Sequence, residues 1–150
     1  RENAVAHMTA SAWVVNPSRD KVLLAYHRIY GSWAWLGGHA DGERDLLKVA
    51  LREASEESGV KELRAISEEI YSLEVLTVNG HFKRGSYVPS HLHLNITYLL
   101  EAAEGAPLPG KPDENDGAAW FPLDSVAEVS SEPWLCENIY KKLQQKLTFI

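Results

Sequence analysis

The chain holds a single cysteine, Cys136, and a single methionine, and nowhere an apolar run approaching the roughly 20 residues of a membrane span. One thiol cannot form an internal disulfide or a multi-cysteine metal site, so a reducing compartment, the cytoplasm, is the expectation. Positive charge is scarce too. Fifteen Lys and Arg stand against 21 Asp and Glu, a formal net charge of -6, and no clustered basic surface of the kind a polyphosphate backbone requires. A nucleic-acid polymer and a membrane are therefore not expected as partners, while a small anionic substrate remains open if a metal bridges it. The opening residues, RENAVAH, lack an initiator Met and the apolar core of a secretory signal, as a trimmed chain would. No internal repeat or low-complexity tract is present.

The remaining composition, 45% hydrophobic over 150 residues, suits one domain, 1–150, that buries a core without staples. From His7 to Asn16 a run rich in Ala, Val and Thr stops at NPSRD, and Lys21 to Arg28 follows, so the two read as a strand hairpin. Glycines then bracket SWAWL, and a loop of small and acidic residues, HADGE, leads to a helical period from about Arg44 to Ser58, with Gly59 as its stop. Ile70 to Val78 and Leu92 to Leu100 alternate as strands across the turn-rich NGHFKRGSYVPS. A Pro- and Gly-broken loop, Glu104 to Asp116, precedes a strand at Ala118 to Phe121. From Pro133 to Lys146, Leu135, Ile139, Leu143 and Leu147 at i, i+4 spacing predict a packing helix.

The stretch ALREASEESGV, Ala50 to Val60, crowds Glu53, Glu56 and Glu57 onto one helix. At about 100° per residue, Leu46, Ala50, Ala54, Leu47 and Leu51 cover an apolar arc of roughly 140°. Glu57 falls inside that arc, Glu53 at its edge and Glu56 just beyond. Like charges at these spacings repel, and more so when half-buried, unless a cation lies among them. Arg52 can hold Glu56, four residues on, but cannot neutralise three carboxylates. A hard divalent ion with oxygen ligands can.

Gly38 to Val60, GHADGERDLLKVALREASEESGV, resembles the signature of the Nudix hydrolases. The match covers Arg52, Glu53, Ala54, Glu56, Glu57, Gly59 and Val60, together with the 23-residue length of the pattern. At the position of the first signature glutamate stands Arg44, with Glu43 one residue early, and Ala54 is smaller than the aliphatic residue usual there. The resemblance implies an α/β fold, an α/β/α sandwich around a mixed central sheet. It also implies Mg²⁺-dependent hydrolysis, Mn²⁺ being the other suitable ion, of a diphosphate linked to another group, often a nucleoside, by water attack on phosphorus. It further implies that Glu53, Glu56, Glu57 and the Gly38 carbonyl are metal ligands, with Arg52 steadying Glu56, and that relatives are often homodimers. The general base is Glu53 or Glu114, the latter in PDEND just before AAWF.

For a small phosphorylated substrate the residues expected in contact are Arg28, Trp35, Lys83 and His93. Arg28 and the HFKRG cluster, which contains Lys83, offer positive charge for phosphate. Trp35, sharing a face with Trp33, offers a base-stacking surface or core packing. His91 and His93, with Asn95 and Thr97, line one face of a strand. They are expected to form a polar wall towards substrate, since no third ligand of matching type is apparent for His-x-His to bind a metal. Two alternatives stand beside the hydrolase: a Nudix-like nucleotide-binding or regulatory domain without turnover, and an isoprenoid diphosphate isomerase of the same fold. The isomerase would be expected to place a catalytic cysteine near the diphosphate, and Cys136 lies in the wrong region.

Overall fold

The structure, a computed structural model, describes residues 1–150. Its centre is β1 (Ala6–Val15), which pairs in parallel with β9 (His91–Glu101) along its whole length, from Ala6 against Leu92 to Val15 against Glu101. On its other side β1 meets β2 (Lys21–His27) only at the closed end of their hairpin, Val15 against Val22. The two strands then splay apart, and the chain segment that follows fills the opening. β3 (Ser32–Ala34) pairs with β2, and β4 (Leu36–His39) pairs with β1. Beyond these, β5 (Arg64–Ala65) and β6 (Ser72–Val78) pair with β9, and β10 (Asn115–Pro122) pairs with β2. Apart from β1 and β9 every pair is antiparallel, so the sheet is mixed.

Helices cover both faces, and the alternation of β1 explains why. Ala10, Ala12 and Val14 face α1 (Leu46–Ser58), where Leu23, Ala25, Leu36, Val49, Ala50, Ala54 and Leu100 complete one buried cluster. Trp13 and Val15 face the other way, onto Val22, Leu24, Leu99, Ile139, Tyr140 and Leu143. A strand buried on both sides needs apolar residues at both parities, as Ala12–Val15 supplies, while nearer the start of β1 the far face carries the polar His7, Thr9 and Ser11. The α/β/α sandwich with a mixed central sheet is the observed architecture, and no helix is long and apolar enough to cross a membrane.

α1 begins where Asp45 accepts the Lys48 N–H at 3.1 Å, and it ends on Gly59, whose φ of 81° is the left-handed cap and whose N–H reaches the Ser55 carbonyl at 2.8 Å. The buried arc differs from the expected one by extending back to Val49, with Leu46, Leu47 and Leu51 only partly covered. Glu53 therefore lies within the arc rather than at its edge.

The connection between β6 and β9 contains a separate hairpin, β7 (His81–Lys83) and β8 (Ser86–Val88). After a short α2 (Val126–Val129) the tail is not the single regular helix expected. α3 (Pro133–Leu135) passes into a wide turn, Cys136–Tyr140, in which the Lys141 N–H reaches the Cys136 carbonyl, and α4 (Lys141–Lys146) resumes. The extra residue in that turn lets Ile139 and Tyr140 both point inward. Tyr140 stacks on Trp13, ring centroids 5.6 Å apart, and meets Trp35 edge-on at 5.7 Å. Cys136 packs in this cluster, across the sheet from α1.

Candidate functional site

The last turn of α1 leans against the end of β4, and Glu57 fills the contact. Its side chain is 4% exposed. Oε1 accepts the Gly37 backbone N–H at 2.8 Å, while Oε2 lies 3.5 Å from His27 Nε2. Burial, with repulsion from Glu53 and Glu114 added, raises the Glu57 carboxyl to about 8, against the opposing pull of the Gly37 N–H and Lys111. Burial also lowers His27. Burial thus drives both groups towards their neutral forms, so the contact is not a strong ion pair.

Glu53, one turn earlier, lies across Gly38. A Cβ on Gly38 would come within 2.4 Å of the Glu53 carboxylate, so only glycine admits this side chain so close to the strand. Glu53 is raised by burial first, partly offset by Arg52 and further raised by Glu56. Arg52 pairs with Glu53 at 3.2 Å and not with Glu56, which corrects the expected partner. Glu56 stands exposed at the outer edge of the same helix. Glu43 accepts the Asp45 N–H at 3.0 Å and faces Lys48 at 3.5 Å, so its oxygens serve the entrance to α1.

A second wall comes from the loop before β10. Asn115, fully buried, donates from Nδ2 to the Glu57 carbonyl at 3.0 Å and accepts the N–H groups of Lys111 and Gly117 on Oδ1. One side chain thereby fastens the loop to the end of α1. Glu114, the other expected base, pairs with Lys111 at 2.9 Å, and its charge reaches both Glu57 and His27. The structure thus brings Glu53, Glu56, Glu57, Gly38 and Glu114 to one region, joined by Lys111, His27 and Asn115. Those three were not assigned from sequence: Lys111 precedes PDEND and Asn115 lies within it, but more than fifty residues separate them from α1, and His27 was too ambiguous on its own.

The expected substrate contacts fare differently. Arg28 bonds Asp116 at 2.9 Å, Asn115 O at 3.2 Å and the Pro112 carbonyl, so its guanidinium holds the loop instead of standing free for phosphate. Trp35 packs edge-on against Tyr140, on the other face of the sheet from α1, half-buried against that core cluster. Lys83 projects from the separate β7–β8 hairpin without an ion pair. His93 also lies across the sheet from α1, beside His7, His39 and His91, and burial is the largest cause lowering His39 to about 3 and His93 to about 4. Further along the same face, Asn95 and Thr97 spend their polar groups on Thr9, Ser11 and Glu74, and Lys142 closes the network at 3.1 Å from Glu74. The polar groups of Asn95 and Thr97 are thus taken up inside the protein.

Residues 5–142 match the NUDIX domain family. Among curated proteins the chain is similar to the CMP-5'-(N-acetyl-N-hydroxy-3-aminopropyl)phosphonate hydrolase of Streptomyces rubellomurinus, 32% identical over 127 residues, 80% of this chain. It spans about half that relative's length, 54%. Among solved structures it is similar to an Ap4A hydrolase of C. elegans in a binary complex, with a TM-score of 0.67, 16% identity and coverage of 95% and 96% of the two chains. It is also similar to RenU of M. smegmatis, with a TM-score of 0.65, 19% identity and coverage of 96% and 87%. A UDP-X diphosphatase gives 0.65 at 18% identity, covering 98% of this chain and 65% of the other.

Proposed function

The chain belongs to the Nudix family, and on that footing we propose that it is a divalent-metal-dependent hydrolase that cleaves a diphosphate bond in a nucleoside diphosphate linked to another group. The observation that carries this reading is the buried carboxylate of Glu57 at the end of α1, with Glu53 laid over Gly38 beside it. A carboxyl raised to about 8 ionises at neutral pH only if positive charge arrives, and the ligands the helix and Gly38 can offer are all oxygens. That set fits a hard ion such as Mg²⁺ or Mn²⁺. Glu53, Glu56, Glu57 and the Gly38 carbonyl would hold the ion. When bound, such an ion offsets the negative charge of the phosphoryl oxygens and lowers the pKa of a water for attack on phosphorus.

The chain's own groups supply the rest. Glu53 is the first choice for the base, because burial raises it towards the pH range in which it can accept a proton. Glu114 is the second, on a loop that Asn115 and Arg28 hold against α1. Lys111, at 2.9 Å from Glu114, is a cation close enough to meet a phosphate oxygen. The names of the relatives, a CMP-phosphonate hydrolase, an Ap4A hydrolase and a UDP-X diphosphatase, support a nucleotide as one half of the substrate. The cytoplasm and a homodimer remain part of the same proposal.

A nucleotide-binding domain without turnover is the second reading, favoured by Arg44 at the signature position and by Glu43 being engaged with Asp45 and Lys48. One assay separates the two. A panel of nucleoside triphosphates, nucleotide sugars, dinucleoside polyphosphates and CMP-linked phosphonates is incubated with Mg²⁺ or Mn²⁺, and released mononucleotide is measured. Turnover of at least one member, reduced by roughly 10² to 10³-fold or more in Glu57→Gln, is expected. Metal-dependent turnover that survives in Glu57→Gln would refute the site, and nucleotide binding without turnover would establish the second reading.

A further inference from the structure

Consecutive residues of β4 point to opposite sides of the sheet. Gly38 faces α1 and lies under Glu53, while His39, opposite Thr9 of β1, faces away from α1. On that far side His39 meets His7 of β1 and His93 of β9, which are themselves register partners in the parallel ladder. Ring centroids are 4.8 Å apart for His39 and His93, 5.4 Å for His7 and His39, and 5.8 Å for His7 and His93. Each imidazole offers one ring nitrogen within 4.8 Å of the other two. His91 adjoins them, its Nε2 3.2 Å from Nε2 of His93 and its Nδ1 2.8 Å from the Pro89 carbonyl.

We propose that His7, His39 and His93 form a binding site for a borderline transition-metal ion, Zn²⁺ in the first instance, on the face of the sheet opposite the carboxylate site. Imidazoles buried for packing alone normally satisfy their nitrogens, yet Nδ1 of His7 is buried without any hydrogen-bond partner. Four imidazoles gathered in one place repel one another once protonated, whereas neutral rings turn lone pairs to a shared cation at no such cost. The spacing is close to what an ion requires. Nitrogens at about 2.0–2.1 Å from a tetrahedral zinc are about 3.4 Å apart, so the three rings need close in by no more than about 1.4 Å, a small rotation of each side chain.

The chemistry of the donors distinguishes the two faces. Nitrogen ligands select Zn²⁺ or its neighbours, while Mg²⁺ prefers the oxygens around α1. The three ligands stand on three strands of one sheet, which holds them in place, and three protein ligands leave a fourth position open. His91 is positioned by its Nδ1–H donating to the Pro89 carbonyl, which leaves its Nε2 lone pair directed at His93. The nearby positive charge of Arg1 is offset by Asp41, 3.1 Å away.

The test uses the whole chain, stripped with a chelator, dialysed, and titrated with Zn²⁺ by calorimetry in millimolar Mg²⁺ so that the oxygen site is already occupied. One Zn²⁺ per chain is expected, and Co²⁺ in its place should show the intense visible bands of a tetrahedral nitrogen-ligated ion. His39→Ala and His93→Ala should weaken Zn²⁺ by more than the ~10–100-fold typical of losing an outer-shell partner. Glu57→Gln should leave it unchanged, even if that variant abolishes turnover. Unaltered Zn²⁺ affinity in both histidine variants, loss of Zn²⁺ in Glu57→Gln, or no binding by the wild type would each overturn the proposal. Should the alanine variants unfold by circular dichroism, the Co²⁺ spectrum of the wild type and the affinity of His7→Gln decide it.

Discussion

Replacing Glu57 by Gln should make the metal-free protein more stable, in a pH-dependent way. Glu57 has an ordinary value of 4.5 and is raised to about 8 in the folded chain by burial. Between those values the unfolded chain is ionised while the native carboxyl still holds its proton, so native stability falls as pH rises from about 4.5 to about 8. Each pH unit in that window is worth about 1.4 kcal/mol, a cost of roughly 3 kcal/mol at pH 7 and under about 1 kcal/mol at pH 5. Gln removes the titration and keeps an oxygen for the Gly37 N–H. For a chain of this length about 2–4 °C per kcal/mol applies, so the variant should melt about 6–12 °C above the wild type at pH 7 in a chelator, with the gap nearly closed at pH 5. Added Mg²⁺ should raise the wild type and leave the variant in place. A variant that melts no higher at pH 7, or a gap that is the same at pH 5, would refute the account of Glu57 as a desolvated carboxyl awaiting a cation.

Gly38→Ala should displace the Glu53 carboxylate, because the new Cβ meets its far end at 2.4 Å; metal-dependent turnover should fall by roughly 10-fold or more, while the melting temperature changes little. Asn115→Ala removes three hydrogen bonds, including the one to the Glu57 carbonyl. Leaving buried groups unpaired costs about 1–3 kcal/mol, so urea unfolding should show a lower midpoint with an unchanged slope. In acid, His39 and His93 are held below their ordinary 6.5 by burial, at about 3 and about 4. Their contribution to stability is complete above pH 6.5 and is lost as pH falls towards 4, so a His39→Gln, His93→Gln double variant should show a shallower decline in stability over that window.

The sandwich was legible only through the resemblance of Gly38–Val60 to the Nudix signature, whereas α1 was legible because its signals are local. Gly59 stops the helix from within its own segment, and the wheel that puts Glu57 among Ala50 and Ala54 needs only 13 residues, whereas the cap at Asp45 emerged only from the structure. What sequence did not reveal depends on contacts between distant segments or on a choice between near-equal rotamers. Arg52 can reach Glu53 beside it or Glu56 a turn away, and only packing decides for Glu53. Arg28 carries a charge suited to phosphate, but its partners Asp116 and Pro112 come from a loop more than eighty residues on. Trp35 alternates correctly for a stacking surface, yet Tyr140, turned inward by the wide turn at Cys136–Tyr140, claims its ring. The third and fourth imidazoles beside His91 and His93 were missed for the same reason, since His7 and His39 arrive on other strands.

The alternation of β4 ties the histories of the two faces together. Since Gly38 looks towards the carboxylates and His39 towards the imidazoles, inserting or deleting one residue between Leu36 and His39 would exchange their sides and spoil both at once. A change of length that a loop around the sheet absorbs would, within these four residues, turn both faces at once.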